Sequence, residues 1–333
     1  MQSKINFPLK TRQLYNVIAI LFILSLLIIT FFGLVSVYLQ KPNKLKEQKI
    51  VIIEQGISVS NIASKLAKEK VISHPKLFWL TIELSNAKNR LKAGEYAFTA
   101  GITPLQIIDM LVSGRTVVHR LTIPEGLTTK QIIDILEGET ALFGEITDNI
   151  GEGELLPNTY HYSYGDKRQA IINRMKQKMN ETINELWAKR ASNLPFKTRK
   201  EALILASIVE KESGLRDERR RIAAVFINRI KKKMLLQADP TVIYAVTEGK
   251  ADLGRELTRT DLKLNSPYNT YLYKGLPPTP ISNPGRAAIA AVLNPLESKE
   301  LYFVVDGKGG HNFSADLKSH NKHVYSYRSR SKK

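Results

Sequence analysis

Between Arg12 and Lys41 the chain carries no charged residue, and the run from Val17 to Val37 is dominated by Ile, Leu, Phe and Val. In a helix, about 20 apolar residues cross the roughly 30 Å hydrocarbon core of a bilayer. The run is too long for a signal-peptide core of about 7–15 residues, and no small-x-small cleavage site comes after it. Buried globular helices seldom continue this far without a charge. The sequence therefore predicts one uncleaved transmembrane helix over 14–39, with a tail at 1–13 and a lysine-rich linker at 40–48.

Orientation is read from the flanks. Lys4, Lys10 and Arg12 precede the span without an acidic neighbour, and Lys41, Lys44, Lys46 and Lys49 succeed it, offset by Glu47. Positive charge is thus nearly balanced across the span. The expected topology is a short cytoplasmic tail and a large extracytoplasmic domain on the periplasmic face of the plasma (inner) membrane, because signal-anchors of this layout commonly export the chain beyond them. The absence of cysteine agrees with that compartment, and it excludes a disulfide framework and a thiolate metal site or nucleophile. A net charge of +19 points to a polyanionic partner: nucleic acid, anionic lipid or carboxylate-bearing peptidoglycan.

Beyond the linker one local pattern occurs three times. Gly56-Ile57-Ser58, Gly101-Ile102-Thr103 and Gly126-Leu127-Thr128 each read as a turn glycine, an apolar staple and a helix N-cap, with Leu66, Leu111 and Leu136 at a shared offset. Pro104 suits the first helical position, and Thr128 with Gln131 forms a capping box. Strand-like runs at Ile50–Ile53, Glu95–Phe98 and Val117–Ile123 lead into these helices. Further on, helices are expected with Met179, Ile183 and Leu186 on one face, from near Thr198, and from Arg219 to Lys232; a strand is expected at Leu301–Val305. The last hundred residues are otherwise rich in turn signals, such as Asp239-Pro240, Ser266-Pro267 and Asn283-Pro284-Gly285.

Glu210 is the residue that most invites a chemical reading. It ends the apolar run Ala202–Val209, and carboxylates are seldom fully buried unless paired or employed. Burial raises a carboxyl pKa and keeps a proton available at neutral pH, as a general acid requires. On a helical wheel Glu210 falls between Leu203 and Ala206, with Glu212 almost opposite. The alternative is an ordinary helix-end carboxylate paired with Lys211 or an arginine. His311, His320 and His323 lack the spacing of a metal site, and no Gly-x-Ser-x-Gly elbow occurs.

Several blocks resemble the MltG (YceG-like) endolytic murein transglycosylases. They are Leu205–Glu212, Val225–Arg229, Leu236–Tyr244, Ser266–Tyr271, Gly275–Pro278, Ile281–Gly285 and the tail containing Tyr302-Phe303-Val304, Gly310–Ser314 and His320-Asn321. The resemblance implies an α+β fold: a single N-terminal transmembrane helix, a small LysM-like α+β subdomain at 49–117 and a larger C-terminal α+β catalytic domain at 118–333. It implies an endolytic lytic transglycosylase that cleaves the MurNAc–GlcNAc bond of nascent glycan strands and leaves 1,6-anhydro ends. Glu210 would be its single acid/base, Gln237, Asn269, Tyr271 and His311 its candidate substrate contacts, and no metal or organic cofactor would be needed. The implied partners are peptidoglycan strands, the plasma membrane and membrane-bound peptidoglycan synthases, with no nucleic acid. One block departs from the family: Asn158 stands where Asp is usual. A non-catalytic wall-binding scaffold is the rival reading; a membrane-tethered nucleic-acid binder is a weaker one, since no groove-reading motif is present.

Overall fold

The computed structural model describes residues 9–212 and 214–330; most of the expected tail, including Lys4, lies outside them. The described chain forms two compact units, one reaching to Val118 and taking in Ser163–Gly165, the other holding the rest.

The first unit opens with α1 (Leu9–Gln40), apolar from Gln13 to Gln40 and long enough to cross a membrane. From Leu14 to Leu34 its large side chains stay open on every side, Phe22 at 67% and Ile29 at 69%, a surface suited to lipid rather than water. Next come β1 (Lys49–Ile53), α2 (Val59–Lys68), α3 (Pro75–Leu84), β2 (Gly94–Phe98) and α4 (Pro104–Ser113). β1 and β2 pair antiparallel with Val51 opposite Tyr96. Alternation sends Val51, Ile53, Tyr96 and Phe98 inward, where they meet Ile62, Leu66, Phe78, Ile82, Ile107 and Leu111. The expected linker is not a free tether. Asn43 accepts from the Gly101 N–H at 2.8 Å and donates its own N–H to the Ile102 carbonyl at 2.9 Å, and Leu45 packs on the core.

The second unit contains β3 (Val118–Thr122), α5 (Thr129–Gly138), β4 (Thr159–Ser163), α6 (Arg168–Ala188), α7 (Arg199–Glu212), α8 (Arg219–Lys231), α9 (Asp239–Thr247), α10 (Arg286–Leu293), β5 (Tyr302–Val305), β6 (His311–Ser314) and α11 (Leu317–Arg330). β3 pairs with β4, and β5 with β6 as an antiparallel hairpin that sets Phe303 opposite Phe313. α7 is the hub: it touches α6, α8, α9 and α10, and its residues from Ala202 to Glu210, Leu203 apart, are buried.

All three expected strand–turn–helix entries form. Ser58, Thr103 and Thr128 accept from the backbone N–H three residues on, and both Thr103 and Thr128 complete capping boxes. The preceding glycines adopt φ of +79°, +79° and +80°, a left-handed turn that strongly favours glycine.

Candidate active site

The end of α7 presents two carboxyls on opposite faces, and their surroundings differ in kind. Glu210 is held from two sides. Gly285 donates its backbone N–H to Oε2 at 2.8 Å, and Arg219 donates Nη2 to Oε1 at 2.7 Å. Gly285 is the N-cap of α10, so the positive end of that helix faces the carboxylate. Arg219 opens α8, is itself buried, and also donates to Glu125 Oε2 at 3.2 Å. Burial pushes the Glu210 carboxyl above the usual range; the Gly285 N–H and the Arg219 charge pull it back, and Glu125 adds a smaller upward push. The Glu210 side chain is only 3% exposed. Glu210 is thus buried rather than partly exposed at the helix end, and the group paired with it is an arginine.

The neighbours of Glu210 explain several of the sequence blocks. One turn earlier on α7, Ser207 accepts the Ile281 N–H at 3.0 Å through Oγ, and its carbonyl accepts from Ser282 Oγ at 3.3 Å. Asn283, fully buried, accepts the Leu155 N–H through Oδ1 at 2.9 Å and donates to Thr129 Oγ1 at 3.0 Å. Its carbonyl accepts the Gly126 N–H at 3.0 Å. A Cβ on Gly285 would lie 1.9 Å from Glu125 Oε1, so a side chain there would have to push the Glu125 carboxylate aside. The Ile281–Gly285 block thus fastens the β3–α5 turn and the start of α10 onto α7. On the outer side of this group lies an open cavity of about 760 Å³, lined by Glu125, Asn158, Lys178, Glu185 and Arg286 among others. Glu125 is therefore both a cavity wall and a partner of the arginine that holds Glu210.

Glu212 faces the other way, toward Asp239 at the start of α9, Arg229 on α8, and Tyr271. Its carboxyl is pushed up to about 8, first by burial, then by the Asp239 charge, with Arg229 opposing. Although deep, it keeps part of its surface accessible. Tyr271 donates its hydroxyl to Asp239 Oδ1 at 2.5 Å and senses the Glu212 charge. Buried Arg229 spends its donors on main-chain carbonyls, Nε on Leu301 at 2.7 Å and Nη1 on Leu236 at 2.7 Å, and acts on Glu212 through charge.

The expected substrate contacts divide between these surroundings. Gln237 is exposed, two residues before Asp239, and is held at φ +51°, an unusual backbone conformation for a side-chain-bearing residue. Its N–H donates to the Thr270 carbonyl at 3.1 Å. Tyr271 is half-buried in the Glu212 group. Asn269 is fully buried, donates to the Leu262 and Leu264 carbonyls at 3.1 and 2.8 Å, and accepts the Tyr271 N–H at 3.0 Å. It shapes the loop that presents Tyr271. His311 pairs with Glu218, the residue before Arg219, its Nδ1 lying 2.6 Å from Oε2. Asn158, the departure from the family, is exposed at the cavity.

Sequence reasoning allowed Glu210 an arginine without naming which, and missed Glu125, Gly285 and the surroundings of Glu212. Arg219 stands in a run of three arginines that reads as a solvated face, and Glu125 lies in a turn. Asp239 and Arg229 carried a signal in the Leu236–Tyr244 and Val225–Arg229 blocks, which come together at Glu212. Among the described residues no cluster of His, Asp and Glu is arranged to hold a metal ion.

Comparison with known proteins gives a consistent picture. The chain is 34% identical over 301 residues to an endolytic murein transglycosylase of Bacillus subtilis, covering 81% of this chain and 82% of that one. It is 28% identical over 319 residues to an endolytic murein transglycosylase of Streptococcus pneumoniae, covering 81% of this chain and 56% of that longer one. A crystal structure of a YceG-like protein from Listeria monocytogenes matches with a TM-score of 0.53 and 32% identity, over 84% of this chain and 99% of that one. The model of the YceG-like family matches residues 51–326, and the chain belongs to that family.

Proposed function

We propose that the chain is a membrane-anchored endolytic murein transglycosylase with Glu210 as its acid/base. One observation carries the choice: Glu210 is a buried carboxyl, raised by that burial, and it shares a single arginine with Glu125 at the wall of the open cavity. A general acid must hold a proton and reach the leaving atom. Arg219 already contacts both carboxyls. Passing wholly to Glu125, it would free Oε1 and remove the charge that pulls the Glu210 carboxyl down. In this reading protonated Glu210 gives its proton to the glycosidic oxygen as the bond to the anomeric carbon breaks. The sugar's own 6-hydroxyl then bonds to that carbon and returns its proton to the Glu210 carboxylate. The attacking group is tethered, so no second carboxylate is needed to activate water. Gln237, Tyr271 and His311 are the proposed substrate contacts.

A second reading gives the acid role to Glu212. It is favoured by the carboxyl pushed up to about 8 there, with no hydrogen bond or ion pair on it among the described residues. The two readings differ in which glutamate can be replaced without loss of cleavage.

The β1–α2–α3–β2 order with paired antiparallel strands supports a LysM-like reading of the first unit, at 49–117, ahead of a catalytic domain at 118–333. The extracytoplasmic orientation, nascent strands as substrate and synthase partners belong to the same proposal. Incubating the full chain in detergent micelles with purified peptidoglycan tests it. Fragments with 1,6-anhydro ends support the reading. Reducing ends would make the chain a hydrolase, and binding without cleavage would make it a scaffold.

A further inference from the structure

The apolar part of α1, Gln13–Gln40, is 28 residues long. At about 1.5 Å per residue it measures roughly 42 Å, some 12 Å more than a hydrocarbon core of about 30 Å needs. The surplus is not idle. Tyr38 is 7% exposed and donates its hydroxyl to the His74 carbonyl, just before α3 begins, at 3.2 Å. The end of α3, at Leu84 and Ser85, meets Phe31 and Phe32 across an apolar cleft of about 210 Å³. α3 therefore runs back along α1, from the level of Tyr38 to that of Phe31 and Phe32. α3 carries Lys76 and Glu83, which hydrocarbon excludes, so the hydrocarbon boundary lies no higher than the level of Phe31 and Phe32.

The end of α3 sets one apolar side chain beside charged ones. Leu84 is 64% exposed, and exposed Lys88 and Arg90 come next in a short 3₁₀ turn. Lys88 is paired with Glu83 at 3.0 Å, which leaves Arg90 as the cation available there; we infer that this end of α3 sits in the bilayer interface, with Leu84 among the upper acyl carbons and Arg90 at anionic lipid phosphates. Long cationic side chains place their charge in water while their stems cover apolar surface, and each basic group gains from an anionic leaflet. The first unit would then stand directly on the membrane, fixed in height by α3. The inference rests on α1 spanning the membrane, as proposed above.

The chain has no cysteine, so Leu84→Cys supplies a unique labelling site on an exposed side chain. The full-length variant, labelled with nitrobenzoxadiazole, is reconstituted into vesicles of phosphatidylglycerol and phosphatidylethanolamine. The vesicles are washed with alkaline carbonate before fluorescence is read. Retention of the protein, blue-shifted emission, quenching by lipid carrying a nitroxide near the headgroup and protection from iodide are expected. Retention with water-like emission and free iodide quenching would overturn the interface inference alone. Loss of the protein in the wash would overturn the span and this inference together.

Discussion

Replacing Glu212 with Gln is expected to stabilise the protein at neutral pH. The Glu212 carboxyl stands at about 8 in the fold, against 4.5 ordinarily. Between those values the unfolded chain has released the proton and the folded chain still holds it. Each pH unit above 4.5 therefore favours unfolding by about 1.4 kcal/mol. At pH 7 the accumulated handicap is at most about 3 kcal/mol, and solvent reaching the side chain reduces it. It is absent below 4.5, grows up to about 8 and is level beyond. Gln ionises in neither state and escapes it. Urea unfolding of parent and Glu212→Gln across this range should give midpoints that diverge as pH rises, the variant gaining. A difference that does not change with pH, or one that favours the parent at high pH, would refute the reasoning. The Glu210 carboxyl is raised by burial too, so Glu210→Gln should gain in the same direction as pH rises, offset by the loss of the charge opposite Arg219.

Other consequences can be checked separately. Cleavage should decline as pH rises past the point where Glu210 loses its proton, and Glu125→Gln should move that decline to lower pH by removing a charge that raises the Glu210 carboxyl; a pH–rate profile reads both. Gly285→Ala pushes the exposed Glu125 carboxylate aside and should change stability by less than about 1 kcal/mol in thermal unfolding. Thr128→Ala removes the cap of α5 and should cost about 1 kcal/mol in the same measurement.

Much of this was legible because the governing forces are local. The caps at Ser58, Thr103 and Thr128 act within a single turn, and α1 and the apolar face of α7 are plain from periodicity. The burial of Glu210 and its opposition to Glu212 also come from helical geometry. The partners of each do not, because tertiary folding brings them in. Gly285 lies 75 positions from Glu210, and Arg219 nine positions on across a turn. α10 hid behind Asn283-Pro284-Gly285 and Asn294-Pro295, which read as turns; folded, Gly285 is its N-cap. α9 was masked in the same way by Asp239-Pro240, which sits in its first turn. α3 escaped notice because it divides its apolar residues between two directions, Phe78 and Ile82 toward the core, Leu80 and Leu84 toward α1.

The most direct test of the central claim is mass spectrometry of the glycan fragments released by parent, Glu210→Gln and Glu212→Gln, each first shown to be folded. The account predicts 1,6-anhydro ends from the parent, none from Glu210→Gln, and a detectable yield from Glu212→Gln. Activity retained in a folded Glu210→Gln, with activity lost in Glu212→Gln, would contradict it and move the acid/base role to Glu212.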